Sequence, residues 1–119
     1  MTGHHRTYVF DPTALVLLFA AHRPVFEVYQ TAEHIAFPAA AIGEANVQIQ
    51  ASERDWEAIL LSSSVNVLDL TASAALAASA GPTLGMGHAM CEAERLHGIV
   101  VTGRAVNVYD RLKLPVLKL

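Results

Sequence analysis

Tyr8-Val9-Phe10-Asp11-Pro12-Thr13 decides how the rest of this chain is read. Three apolar residues make a short buried strand, and the strand ends on a carboxylate. Pro12 then takes the first position of a helix, with Asp11 as its cap. Working outward, that helix runs through Ala21, and Pro24 closes the region. Val25 to Glu33 reads as a second helix and Ile35 to Phe37 as a second strand. Pro38 opens a helix of Ala, Ile and Val that reaches Ile49 or Gln50. Ser52-Glu53-Arg54-Asp55 is an N-terminal capping pattern with acids in the first turn, so another helix follows to about Leu61.

The second half repeats the alternation. Val65 to Leu70 alternates and is β-branched at its start, which predicts a third strand. Thr71 caps an Ala-rich helix through Ala80 that Gly81-Pro82 ends. Thr83 begins a helix to His97, with Met86, Ala89, Met90, Ala93 and Leu96 on one face and Gly98 as the stop. Ile99 to Thr102 is a fourth strand, and Val116 to Leu119 a last edge strand. Strands alternating with helices imply an α/β fold: a three-layer α/β/α arrangement around a mainly parallel central sheet. With 119 residues and neither repeats nor linkers, residues 1–119 form a single domain.

Composition narrows the function classes. The chain is 53% hydrophobic, enough for a full core and for an apolar contact surface besides. Its longest apolar run, Ala14 to Ala21, is too short to span a bilayer, so no membrane role is expected. Asp11 interrupts the approach to that run and no small-residue cleavage pattern follows, which argues against a signal peptide. The single cysteine, Cys91, excludes an intramolecular disulfide and fits a reducing cytoplasm. Net charge is −3, against bulk nucleic-acid binding, yet it is unevenly spread. Residues 1–94 hold three Lys/Arg against ten Asp/Glu, whereas residues 95–119 hold Arg95, Arg104, Arg111, Lys113 and Lys118 against Asp110 alone. Such asymmetry marks either an anion-facing edge or charges that keep an edge strand soluble.

In an open parallel sheet, ligands bind beyond the carboxyl ends of the strands. Asp11 and the Thr102-Gly103-Arg104 turn both fall there. Hard divalent cations take carboxylates, waters and substrate phosphate, and such an ion can polarise a phosphodiester and activate water. Taken alone, Asp11 reads sooner as a helix cap than as a ligand, and Glu44 sooner as the solvated face of an otherwise apolar helix. His88 is a candidate for a softer ion or a base, or a packing residue. Its i,i+4 spacing to Glu92 is a weak metal signal, and the other histidines have no ligand spacing. No Gly-rich phosphate loop is present.

Taken in order, these pieces resemble a known family. Val9-Phe10-Asp11 before a helix, then Phe37-Pro38 to Glu44-Ala45-Asn46, is similar to the first half of a PIN domain. His88-Ala89 on a helix, then Gly98-Ile99-Val100-Val101-Thr102 with Tyr109 beyond, is similar to the second half. The resemblance covers nearly the whole chain, and order and spacing carry it. It implies the fold of VapC-type toxins and a Mg²⁺- or Mn²⁺-dependent ribonuclease with three or four clustered acids, often paired with a small antitoxin. Asp11 matches the first acid and Glu44 the second, which makes them the implied catalytic and metal-holding residues, with Thr102 retained beside them.

The third acid belongs early in the helix that starts at Thr83; counted back from Gly98 its place falls on Gly87. The fourth belongs two residues after Thr102, where Arg104 stands. Arg104 either repels the cation, pairs with Asp11, or serves with His88 as a contact for substrate phosphate. Two functional expectations follow. One is a VapC-like ribonuclease with activity weakened or lost; the other is a catalytically inactive PIN-fold module that binds RNA or protein. The apolar helices around Ala14 to Ala21 and Val25 to Tyr29 are the candidate surface for a homodimer or an antitoxin.

Overall fold

The computed structural model describes residues 6–103, 106–110 and 115–119. Its order is β1 (Tyr8–Phe10), α1 (Pro12–Phe19), α2 (Arg23–Thr31), β2 (Ile35–Pro38), α3 (Ala39–Ile49), α4 (Glu53–Leu60), β3 (Val65–Leu68), α5 (Ala72–Ala78), α6 (Leu84–Leu96), β4 (Ile99–Thr102) and β5 (Val116–Lys118). Among the described residues between β4 and β5 lies a 3-10 turn, Val106–Tyr109. The strands form one five-stranded sheet in the order β3-β2-β1-β4-β5, and each neighbouring pair is parallel.

The strands are short, and the inner ones, β1, β2 and β4, are buried on both faces, as a parallel sheet between helical layers requires, while the edge strands β3 and β5 are partly exposed. Their alternation assigns the layers. Phe10, Ile35, Phe37 and Val101 join the core with Ala14, Leu15 and Leu18 of α1, Val25 of α2, Ala41 and Ala45 of α3, and Trp56 of α4. Their neighbours Val9, Ala36 and Val100 face the other way, into a core with Met86, Ala89 and Ala93 of α6 and with Tyr109. Helix α5 packs against α6, while α3 packs on both α1 and α6.

Local chemistry sets the helix starts. Oδ1 of Asp11 accepts from the Ala14 amide (2.9 Å), and Ser52 with Asp55 forms a complete capping box on α4. The hydroxyls of Thr71 and Thr83 cap α5 and α6. Pro24 differs from expectation: it sits in the first turn of α2, and the helix starts one residue before it. A first-turn residue has no intrahelical partner for its N–H, so proline costs nothing there. The strand at Val65 ends at Leu68, two residues early, because Asp69 and Leu70 lie beyond the reach of β2, which ends at Pro38.

Trp56, expected in the core or at an interface, is buried in the core. Its ring nitrogen donates to Asn46 (2.9 Å) and its ring lies against Phe19. Tyr29 packs against the same core and donates to the Ile59 carbonyl, while Phe26 lines a hollow on the surface with Ala21 and Arg23.

Candidate functional site

Register brings two of the implied residues together. Phe10 of β1 pairs with Val101 of β4, so Asp11 and Thr102 follow side by side at the carboxyl edge of the sheet. Both are fully buried. Thr13 joins them: its hydroxyl donates to Asp11 Oδ1 (2.6 Å), lies 3.2 Å from the Thr102 hydroxyl, and accepts from the Gly103 amide (2.9 Å). The second oxygen of Asp11 accepts from the phenol of Tyr109, which is itself buried. Asp11 is therefore the cap of α1 and, at the same time, the anchor for the turn after β4.

Glu44 enters from α3, near the N-terminus of α6. Its Oε2 accepts from the Thr83 hydroxyl (2.8 Å) and its Oε1 from the Gly85 amide (2.9 Å). Thr83 is also the residue that caps α6, through the Met86 amide (3.1 Å). A carboxylate here satisfies an amide that has no partner within the helix and lies at the positive end of the helix dipole. That accounts for a lone acid on an apolar helix.

Gly85 makes room for this contact. A Cβ at that position would fall 2.7 Å from Pro12 Cγ and 2.8 Å from Glu44 Oε1, so Gly85 lies between the Asp11-Pro12 corner and Glu44. Gly87, where spacing puts the third acid, faces elsewhere: its Cβ would fall 1.8 Å from the Ala78 carbonyl oxygen of α5. The helix position adjoining Glu44 and Pro12 is thus two residues earlier than the count from Gly98 gives. Pro12, Thr13, Val16, Leu17, Glu44, Ala45, Gln48 and Gly103 line one cleft of about 330 Å³; Glu44 borders it directly, whereas Asp11 is buried beneath its neighbours Pro12 and Thr13.

His88 is not brought into that cleft. It is fully buried, and its Nδ1 accepts from the Ala40 amide at the start of α3 (3.3 Å). A nitrogen that accepts has no proton, so a neutral ring carries its hydrogen on Nε2. Nε2 lies 3.4 Å from Glu92 Oε2, without the alignment of a hydrogen bond. The other oxygen of Glu92 accepts from Arg95 Nε (2.6 Å). The His88–Glu92 proximity foreseen at i,i+4 spacing is therefore real but lies within α6; the Ala40–His88 hydrogen bond is what couples α6 to the start of α3. Arg104 lies outside the described residues. Tyr109 and Thr13 are the participants that sequence reasoning left unassigned; a hydroxyl two residues after a strand-terminal acid was the available signal for Thr13.

A second hollow of about 450 Å³ opens between β3, α5 and α6, lined by residues that include Asp69, Thr71, Cys91, Glu92 and Arg95. Cys91 is half-buried there. Loss of water contact, with the carboxylates of Glu94 and Glu92, pushes its thiol up from the ordinary value.

The Mg²⁺ or Mn²⁺ implied by the resemblance can be tested against these donors. Asp11 is fully buried and hydrogen-bonded at both oxygens, and Glu44 is hydrogen-bonded at both oxygens. Among the described residues, no three His, Cys, Asp or Glu side chains gather closely enough to hold a metal ion. The arrangement does not fit a divalent cation, so no chemical step is derived through one. No described helix is long and apolar enough to cross a membrane.

Solved structures share this architecture. A chain of VapBC2 from Rickettsia felis, in a structure with a DNA fragment from its promoter, superposes with a TM-score of 0.61 at 14% identity, over 95% of this chain and 98% of that one. The fold is that of a PIN domain. A chain of FitAB, bound to the IR36 DNA fragment, gives 0.62 at 11% identity over 93% of this PIN-fold chain and 94% of that one. No family model and no curated protein matches the sequence. The strand order 3-2-1-4-5 and six helices agree with the α/β/α expectation, and the sheet is parallel throughout its described pairs.

Proposed function

We propose that this PIN-fold chain is a relative of VapC-type toxins whose metal-dependent ribonuclease activity is weakened or lost. One observation carries the reading: Glu44, which lines the cleft, and Asp11, whose neighbours Pro12 and Thr13 line it, are both engaged by protein donors, and the α6 position adjoining Glu44 and Pro12 is a glycine. A cation would have to displace those donors with no third carboxylate to offset the loss. The same scaffold suits a role in binding, to a small antitoxin-like protein or to RNA. The apolar helices α1 and α2, where Val16, Leu17, Phe19 and Tyr29 stay partly exposed, are the surface for a second copy or for that partner.

RNA cleavage by the purified protein with Mg²⁺ or Mn²⁺, beside Asp11→Ala and Glu44→Ala, tests it. The expected result is no metal-stimulated cleavage above either variant. The alternative is a working ribonuclease with Asp11 and Glu44 holding the ion and Thr102 beside them, supported by the shared network of Asp11, Thr13 and Thr102. Metal-stimulated cleavage that either substitution abolishes would establish that alternative. Size measurement at micromolar concentration tests self-association, and a monomeric mass would exclude it.

A further inference from the structure

We propose that Glu44 is an internal cap, and that the glycine at position 85 and the capture of Glu44 by α6 are a single coupled feature that holds the cleft closed to cations. The inference rests on the reading of a weakened or lost activity. The two donors to Glu44, the Thr83 hydroxyl and the Gly85 amide, belong to the same helix start and take one carboxylate oxygen each. That helix has thirteen residues, so its N-terminal dipole is fully developed.

Any side chain at 85 collides with this arrangement. Its Cβ would sit 2.8 Å from Glu44 Oε1, and Pro12 Cγ at 2.7 Å and the Ala40 carbonyl at 3.1 Å block the other directions. The flexible end of Glu44 is the component able to give way, since the proline ring and the carbonyl are fixed. A side chain at 85 therefore breaks the hold of α6 on the carboxylate and frees it within the cleft that Glu44 already lines, at the added cost of the contact with Pro12. With glycine there, α6 supplies Glu44 with the positive charge that a metal would otherwise provide. The missing side chain and the engaged acid are two sides of one packing solution.

The test is a thermal double-mutant cycle on the full chain, combining Gly85→Ala with Glu44→Gln, next to a Mn²⁺ titration followed by calorimetry. Glu44→Gln is expected to lower Tm by roughly 5 °C, from a lost charge-assisted hydrogen bond, and Gly85→Ala by more, because its added carbon also meets the Pro12 ring. The double variant is expected to fall well short of the sum, because either change alone dismantles the same contact. Additive losses would overturn the coupling. The unsubstituted protein is expected to show no saturable Mn²⁺ binding; saturable binding that Glu44→Gln removes would make Glu44 a metal ligand and overturn the cap. Should Gly85→Ala not fold, Thr83→Val with Glu44→Gln gives the same cycle from the other donor. The cycle reads stability alone: ribonuclease activity that Glu44→Gln leaves intact would sink the functional reading and leave the cap to be decided by the Tm values, whereas metal-dependent activity that it abolishes would overturn both.

Discussion

The phenol of Tyr109 donates to Oδ2 of Asp11 across 98 residues of sequence, and both side chains are buried. One contact thus ties the turn after β4 to the first βα corner. The two groups define opposite ends of the same network: Tyr109 fixes one oxygen, while Thr13 and the Ala14 amide fix the other. A buried carboxylate with every contact made is a rigid element, and removing one donor leaves an oxygen without a partner where water does not reach.

Tyr109→Phe keeps the ring and deletes that donor. Hydrogen bonds to charged groups contribute about 1.5–3 kcal/mol, and this one is buried, so a loss of about 2 kcal/mol is expected. Urea denaturation measures it as a lower midpoint at unchanged slope. A change within about 0.5 kcal/mol would mean that water replaces the phenol and that the corner is more open than its burial indicates.

Two glycines on different helices offer a contrast in sign. At Gly87 an added Cβ would lie 1.8 Å from the Ala78 carbonyl oxygen, and backbone cannot swing aside as a side chain can. At Gly43 of α3 nothing lies within 4 Å of the added carbon. Gly87→Ala is expected to cost about 2 kcal/mol or more as α5 is pushed off α6. Gly43→Ala is expected to stabilise by up to about 1 kcal/mol through helix propensity. Thermal melts of the two variants in parallel check both signs, and equal effects would refute the close α5–α6 approach.

This contrast also marks how far the sequence could be read. Strand and helix identities were legible because the strands are short, mostly apolar runs closed by a capping or breaking residue: Asp11, Thr71 and Thr83 cap helices where expected, whereas Pro38, expected to open a helix, is the last residue of β2 and the helix starts one residue later. The meeting of Asp11 with Thr102 followed from the rule that parallel strands share a carboxyl edge, and the register confirms it. What stayed hidden depends on the direction of side chains. Counting residues back from Gly98 locates a place on α6 only to within a turn, and two residues, roughly half a turn, are the difference between facing Glu44 and facing α5. Hydrogen bonds formed across 39 or 98 residues, such as Thr83 to Glu44 or Tyr109 to Asp11, leave no local pattern at all. His88 illustrates the same limit: its spacing to Glu92 was visible, but its role as acceptor for the Ala40 amide required the packing of α3 on α6.

Cys91 is expected to be a slow nucleophile. Partial burial disfavours the thiolate first, and the carboxylates of Glu94 and then Glu92 add repulsion, so the thiol titrates above its ordinary range. Because the folded protein holds the proton more tightly than the unfolded chain, this group's contribution to stability is complete at pH below the unfolded thiol's range. It is lost as pH rises through the folded value, so Cys91→Ala should flatten part of the alkaline decline in Tm. The reactivity follows the same sign. Alkylation by iodoacetamide at about pH 8 should be slower than that of a free small thiol, with its rate curve displaced to higher pH. Glu94→Gln removes the carboxylate with the larger effect on the thiol and should move the curve part of the way back, leaving the contributions of burial and of Glu92. A thiol that reacts as fast as the free reagent at that pH, with Glu94→Gln having no effect, would show that neither burial nor the carboxylates restrain it.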